Sequence, residues 1–313
     1  MHLSVIIPVY NSSKYLSRTI REALNEIKQL DLNLKSELIL VDDGSNDASW
    51  SIISSEAKTN KNIKAIRLLK NYGQHYALFC GLLESEGEYC ITIDDDLQNP
   101  PAEIKKLLNH SKVNNCDFVV GNFIKSKKSF IRLVGSKIIG FAVNRIYLNK
   151  KNITNSNFRL LRRDLVDRII THTNGFPYIN GLALENSINP DNILVAHEKR
   201  MHGSSKYSFL KLVNLTFSIL FNYSVKPLRL VTLIGIFFSS ASFLIGIFFL
   251  LSKFFLATTI VAGWTSIIVL LAFFSGINLL ILGLLGEYIV NVLLTVRNKE
   301  RYIVHESINV KKK

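Results

Sequence analysis

The chain has 313 residues, a formal net charge of +14 and 48% hydrophobic residues. That is enough for one sizeable domain plus an appendage, and too apolar for a disordered basic tail protein. A basic balance of this size suits anionic partners such as nucleic acid, anionic lipid or phosphorylated substrates. The three cysteines, Cys80, Cys90 and Cys116, are odd in number and lack metal-ligand spacing, so they read as small buried residues in a reducing compartment. No signal peptide is expected, because Met1-His2-Leu3-Ser4 leads straight into a strand-like run.

That first strand runs from Leu3 to Pro8, where proline stops it. Tyr10-Asn11-Ser12-Ser13 reads as turn and cap, followed by a helix from about 14 to 30. Glu37 to Val41 is a second strand, ending in the loop Asp42-Asp43-Gly44-Ser45-Asn46-Asp47, with a helix from about Ala48. A third strand covers Ile63 to Leu68, and Asn71-Tyr72-Gly73-Gln74 turns into a helix from about His75 to Leu83. Tyr89 to Ile93 is a fourth strand and Phe118 to Gly121 a fifth. Strands alternating with helices argue for a parallel, doubly wound α/β sheet, in which ligands bind outside the carboxyl ends of the strands. Three loops then converge on one edge: the one after Pro8, Asp42 to Asp47, and Asp94 to Gln98. No G-x-G-x-x-G and no G-x-x-x-x-G-K-[ST] is present, which argues against a dinucleotide cofactor and against a P-loop.

The chemistry concentrates where the fourth strand ends, at Asp94-Asp95-Asp96-Leu97-Gln98-Asn99-Pro100-Pro101. Adjacent carboxylates repel one another and are costly to gather without a cation. Hard cations such as Mg²⁺ or Mn²⁺ take oxygen ligands and bind through one or two carboxylates plus substrate phosphates. In extended backbone the alternating Asp94, Asp96 and Gln98 share one face and form the candidate metal set. The bland alternative is a solvated acidic turn.

The ordered set Val5-Ile6-Ile7-Pro8-Val9-Tyr10-Asn11, Val41-Asp42-Asp43-Gly44-Ser45, Asn71-Tyr72-Gly73-Gln74 and Asp94 to Pro101 resembles the family-2 glycosyltransferases. More narrowly, it is similar to the branch of dolichol-phosphate mannose synthase and the bacterial polyprenyl-phosphate glycosyltransferases. The resemblance implies a GT-A fold, with Asp42 or Asp43 near the nucleotide base and ribose. It implies Pro8, Tyr10, Asn11, Gln74, Asp94 and Asp95 around the nucleotide sugar, and Asp94, Asp96 and Gln98 on a divalent cation at the diphosphate. Asn99 stands where this branch often has Asp. In Asn157-Phe158-Arg159-Leu160, Asn157 stands where the branch often has an acid, and Asn cannot act as a general base.

The basic stretch Lys125, Lys127, Lys128, Arg132, Lys137 is either a solvated surface or a segment facing anionic phosphates, and Phe141 to Leu148 is apolar enough to lie against membrane or core. Arg200-Met201-His202-Gly203-Ser204-Ser205-Lys206-Tyr207 resembles the family's Arg, then Gly-x-Ser-Lys-Tyr segment. Arg200 and Lys206 would hold phosphates, with Arg132 beside them at the acceptor phosphate, and together with Asp96 they are the expected catalytic residues. A zincin reading of His197-Glu198 fails because position 201 is Met.

The expected division is a catalytic domain over 1–208, an amphipathic juxtamembrane segment over 209–229, membrane spans over 230–252 and 262–286, and a basic tail over 287–313. Both spans lack charge and exceed the ~20 residues that cross a ~30 Å bilayer core. Lys226 and Arg229 precede the first span and Arg297, Lys299, Arg301 and Lys311 to Lys313 follow the second, which places the catalytic domain and both termini in the cytoplasm, in a bacterial inner membrane. The expected function is inverting transfer of a sugar from a nucleoside diphosphate sugar to a polyprenyl phosphate, undecaprenyl or dolichyl. It is assisted by Mg²⁺ or Mn²⁺ and has no nucleic acid partner; sugar, base and oligomeric state stay open. One alternative is a same-fold transferase acting on a glycolipid or polysaccharide. Processive synthases carry Gln-x-x-Arg-Trp, which neither Trp50 nor Trp264 belongs to. The other is a non-catalytic membrane scaffold that keeps a nucleotide pocket.

Overall fold

The first strand, β1 (His2–Val9), is buried from Leu3 to Val9. It pairs in parallel with β2 (Lys35–Asp42) on one side and β4 (Tyr89–Thr92) on the other, and β2 pairs in parallel with β3 (Ile63–Leu68). Helices α1 (Leu16–Gln29), α2 (Ser49–Thr59) and α3 (Gln74–Leu83) make the crossovers. In α1 the buried Leu16, Ile20, Ala23 and Ile27 recur at helical spacing and turn one face to the sheet. The strand continues through Pro8 instead of stopping there. The β4 partnership ends at Ile6, so Pro8 lies where β1 has a ladder neighbour on the β2 side only, and proline is tolerated at such a local edge.

The computed structural model describes residues 2–30, 35–123, 153–171, 176–196 and 302–311, and scattered helical positions between 237 and 292. The chain divides into two compact units, Met1–Val213 with Glu300–Lys313, and Asn214–Lys299. The first unit also holds α4 (Ile104–Asn114), β5 (Phe118–Phe123), β6 (Arg159–Arg162), α5 (Arg163–Ile170), α6 (Ile179–Asn186), β7 (Pro190–Val195) and β8 (Val304–Ile308). Its eight-stranded sheet runs β7-β5-β6-β4-β1-β2-β3-β8. The sheet is mixed, a correction to the all-parallel expectation: β6 is antiparallel to both β4 and β5, and β8 is antiparallel to β3. Successive crossover helices keep β1 to β4 parallel to one another. β6 follows the long 124–158 excursion, and β8 returns after the whole second unit. Residues 304–308, expected within a basic tail, therefore serve as a sheet edge.

Pro101 starts a 3-10 turn (Pro101–Glu103) that leads into α4, and Asn115 ends that helix in the left-handed region at φ 50°. The two prolines that end the carboxylate stretch thus open the next helix. All three cysteines are free and buried, as expected.

The second unit is described only at helical positions, among them Phe237, Ile267, Leu270, Leu271, Leu282, Ile289, Val290 and Val292, whose side chains are exposed. Among the described residues no helix is long and apolar enough to cross a membrane. The expected span 230–252 lies outside the described residues except for Phe237, and 262–286 is described in part.

Asp117, 1% exposed at the start of β5, ties the outer strands together. Its carboxylate accepts the Ile188 and Asn189 backbone N–H groups at 2.8 and 2.9 Å, the Ser187 hydroxyl at 2.5 Å, and Arg168 Nη2 at 3.1 Å. Asp117→Ala leaves those donors without their acceptor and should destabilise the unit by about 3–5 kcal/mol, read as a lower denaturant midpoint for the purified protein. A midpoint equal to wild type would show that the knot is not needed.

Candidate active site

The carboxyl ends of β1, β2 and β4 and the turn after β3 are tied into a closed circuit of hydrogen bonds. The loop after β1 meets the loop after β2 through Asn11 N–H to Ser45 Oγ at 2.9 Å, Asn46 N–H to Asn11 Oδ1 at 2.9 Å and Ser13 N–H to Asp47 Oδ2 at 3.0 Å. The loop after β2 meets the turn after β3 through Asp43, whose carboxylate accepts the Tyr72 and Gly73 N–H groups at 2.8 and 2.9 Å. Gly44 permits that approach. Its φ is +65°, and a Cβ there would stand 2.4 Å from the Lys70 carbonyl carbon. The turn after β3 then reaches the carboxylate stretch, as Gln74 Nε2 donates to Asp94 Oδ1 at 2.7 Å. The circuit closes through Asp95, whose Oδ2 accepts the Ser12 hydroxyl and the Tyr10 N–H, while its carbonyl accepts Thr19 Oγ1 at 2.8 Å.

The three carboxylates are thereby splayed. The strand ends at Thr92, Asp95 and Asp96 lie in a turn, and Leu97 adopts φ 56°. The one-face alternation expected for Asp94, Asp96 and Gln98 therefore does not apply, because it requires strand backbone throughout. Asp94 points toward Gln74, Asp95 toward the Tyr10–Ser12 turn, and Asp96 accepts the Gln98 N–H at 3.2 Å.

Asp94 is held by three carboxamides. Besides Gln74, Asn157 Nδ2 donates to its Oδ1 at 3.2 Å and Asn99 Nδ2 to its Oδ2 at 3.3 Å. Desolvation, then the neighbouring Asp96 and Asp95 charges, push the Asp94 pKa up to about 6, and the Gln74 and Asn157 hydrogen bonds pull the other way. Asn157 reaches the site because β6 is antiparallel, so its start and not its end lies at this edge beside Thr92. Behind it, the fully buried Arg159 donates to Thr92 Oγ1 at 3.1 Å, to Asn157 Oδ1 at 3.4 Å and to Asn180 Oδ1. Burial lowers its pKa to about 10, which leaves it a cation at neutral pH. His75 packs its ring 5.2 Å from those of Phe176 and Tyr178, and burial, then the Arg159 charge, lower its pKa to about 3, so it is neutral.

On the β2 side, Asp42 is fully buried, accepts the Ser45 N–H at 3.3 Å and faces Arg67 Nε at 3.4 Å. Burial raises its pKa, against the Ser45 hydrogen bonds and the Arg67 charge. Burial also pushes Asp43 up to about 6. Pro8, Tyr10, Asn11, Asp42, Asp43, Gln74, Asp94, Asp95, Asp96 and Gln98 thus all belong to one edge of the sheet. Arg132, Arg200 and Lys206 lie outside the described residues, as do the Phe141–Leu148 run and the amphipathic 209–229 segment. Sequence reasoning missed Asn99 as a contact of Asp94, and also Arg67. Asn99 carried a signal, since it departs from the branch's Asp.

The sheet, the strand-end loops and the carboxylate turn define a GT-A-type glycosyltransferase, and residues 4–170 match the family model "Glycosyl transferase family 2". The chain belongs to that family. It is 34% identical over 312 residues to the undecaprenyl-phosphate 4-deoxy-4-formamido-L-arabinose transferase of Proteus mirabilis (strain HI4320), covering 99% of this chain and 95% of the relative. The enzyme of the same name from Pseudomonas aeruginosa (strain UCBPP-PA14) is 34% identical over 312 residues, covering 98% and 90%. Among solved structures, glucosyl-3-phosphoglycerate synthase from Mycobacterium tuberculosis matches with a TM-score of 0.48 at 15% identity, covering 71% of this chain and 78% of that one.

A carboxylate whose folded pKa is raised keeps its proton longer in the folded state. The stability it confers is complete below 3.8 and declines as pH rises toward about 6. Asp43→Asn removes that ionisation, so unfolding free energy across this window should fall less steeply with pH than in wild type. Parallel slopes for the two proteins would contradict the assignment.

Proposed function

We propose that this enzyme transfers a sugar from a nucleoside diphosphate sugar to a polyprenyl monophosphate, with inversion at the anomeric carbon, at the cytoplasmic face of the membrane. The observation that carries the choice of acceptor is Asn157. Where a carboxylate could deprotonate a hydroxyl, a carboxamide donates to Asp94 and accepts from Arg159. A sugar hydroxyl needs a positioned base. A phosphate monoester, with a second pKa of about 6, is already largely dianionic at neutral pH. The names of the relatives point to the same acceptor class, undecaprenyl phosphate.

The donor occupies the edge framed by Tyr10, Asn11, Asp42 and Asp43, with base and ribose at the Asp42–Asp43 end. The residues fit a divalent cation. The Asp96 and Asp95 charges lie close enough to raise the Asp94 pKa, and the carboxamides around Asp94 are neutral. Asp94, Asp96 and Gln98 would hold Mg²⁺ or Mn²⁺, which supplies positive charge to the leaving diphosphate. Arg159 offsets the local negative charge from behind. Arg132, Arg200 and Lys206 orient the acceptor and donor phosphates.

Two features support the membrane reading. The described helical positions of the second unit expose Phe237, Ile267, Leu271, Leu282 and Val292, which lipid would cover. The chain leaves the first unit after Val213 and rejoins it at Glu300, which suits an even number of crossings. A reporter after Lys313 should then read cytoplasmic and one near Lys253 external. Both on one side would exclude a pair of spans.

Asp96→Asn, or EDTA on wild type, should lower turnover by several orders of magnitude, each tenfold corresponding to about 1.4 kcal/mol of transition-state stabilisation. Full activity in chelator with metal removal verified would defeat the cation. For the acceptor, labelled donor is offered to polyprenyl phosphate, a polyprenyl diphosphate-sugar and diacylglycerol side by side. Product is expected with the monophosphate, and Asn157→Ala should cost much less activity than Arg200→Ala or Lys206→Ala. Product only with either of the other acceptors would favour the glycolipid reading.

A further inference from the structure

We propose that the carboxyl-terminal strand is a working part of the donor pocket, with Glu306, Trp50 and Arg67 acting in series as positioning residues for the Asp42 carboxylate. This rests on the reading that Asp42 and Asp43 face the nucleotide. Glu306 Oε2 on β8 accepts the Trp50 Nε1–H at 2.7 Å. Trp50 lies in the first turn of α2 and is 9% exposed, so its indole N–H needs such an acceptor. The Arg67 guanidinium stands 5.8 Å from the centroid of the Trp50 ring, and Arg67 Nε is 3.4 Å from Asp42 Oδ2. Arg67 Nη2 also donates to the Ser45 carbonyl at 3.4 Å, inside the loop that Asn11 grips.

The register places this series together. Arg67 and Glu306 are direct partners in the β3–β8 ladder, and the pairing shifts between Arg67 and Leu68. Such an irregularity re-aims a side chain at the end of a strand.

β8 is held by other contacts as well. Asn309 Nδ2 donates to the Ala57 and Ile63 carbonyls at 2.6 and 2.9 Å, and the Leu69 N–H donates to the Ile303 carbonyl at 2.8 Å. Truncating Glu306 alone therefore leaves the strand docked. This separates a role in the pocket from a role in covering the edge of β3.

The test is calorimetric binding of UDP, GDP, CDP and ADP, each with Mg²⁺, to the full-length purified protein, using the tightest binder for the variants. Glu306→Ala and Trp50→Phe should each raise its Kd about three- to tenfold, the range of one lost hydrogen bond. The double variant should be no weaker than either single, because both remove the same bond. Glu306→Gln keeps an acceptor for the indole and should bind within about twofold of wild type. Melting temperatures of Glu306→Ala and Trp50→Phe should fall by only about a few degrees, and Glu306→Gln should match wild type. Glu306→Ala binding as wild type does, or a loss that tracks a lowered melting temperature and is not rescued by Gln, overturns the proposal. Asp42→Asn supplies the control for the pocket itself. If it weakens binding while Glu306→Ala does not, only the series through β8 fails. If it binds unchanged, the donor-pocket reading fails with it.

Discussion

The negative charge gathered at Asp94, Asp95 and Asp96 is the constraint on which the rest of the site depends. Three adjacent carboxylates cannot share one face without a large mutual cost. The protein lowers that cost by turning them apart. Asp95 is spent on the Tyr10–Ser12 turn, Asp96 faces the Gln98 amide, and Asp94 sits among the carboxamides of Gln74, Asn99 and Asn157. Carboxamides donate without adding charge. At positions 99 and 157, where the resembling branch often carries acids, an acid would add negative charge beside Asp94. Both departures act on the same atom group and reinforce each other.

The splaying also ties the strand-end loops together. Each carboxylate that turns away from its neighbour finds a backbone amide or hydroxyl on another loop, so the electrostatic solution and the hydrogen-bond circuit are one arrangement. Asp43 and Gly44 do the same between β2 and β3, where close backbone approach excludes any side chain larger than hydrogen at position 44. Loops held this way keep the strand-end groups in place without further reorganisation, which suits the electrostatic role proposed for them. The fully buried cation of Arg159 donates to Asn157 and Thr92 behind the carboxylate stretch.

Periodicity and punctuation alone determined the first half of the fold. β1, β2, β3 and β4, with the three helices between them, follow from apolar runs bounded by turn residues, and observed boundaries differ from expectation by a few residues. Those signals are local, so the sequence carries them openly. The meeting of Asp42, Asp94 and the Tyr10 turn at one edge follows too, because crossover helices force parallel strands whose carboxyl ends coincide. Side-chain direction within the carboxylate stretch did not follow, because it depends on where the strand ends. Alternation is a property of strand backbone, and the strand stops at Thr92, before the carboxylates.

Tertiary structure decided the partners that arrive from far along the chain. Nothing local to Asn157 says that β6 runs antiparallel beside β4, yet only that orientation brings its carboxamide to Asp94. Nothing local to Tyr302–Lys311 distinguishes a basic tail from a sheet edge, since five residues with only Val304 and Ile308 apolar suit either. Pairing with β3 settles it, and Glu306 reaches Trp50 across 256 positions of sequence. Sequence alone singled out the residues proposed to carry the chemistry, because residue type and short spacing set acidity and ligand hardness. Their orientation and neighbours were decided by long-range strand pairing, whose register depends on the whole sheet.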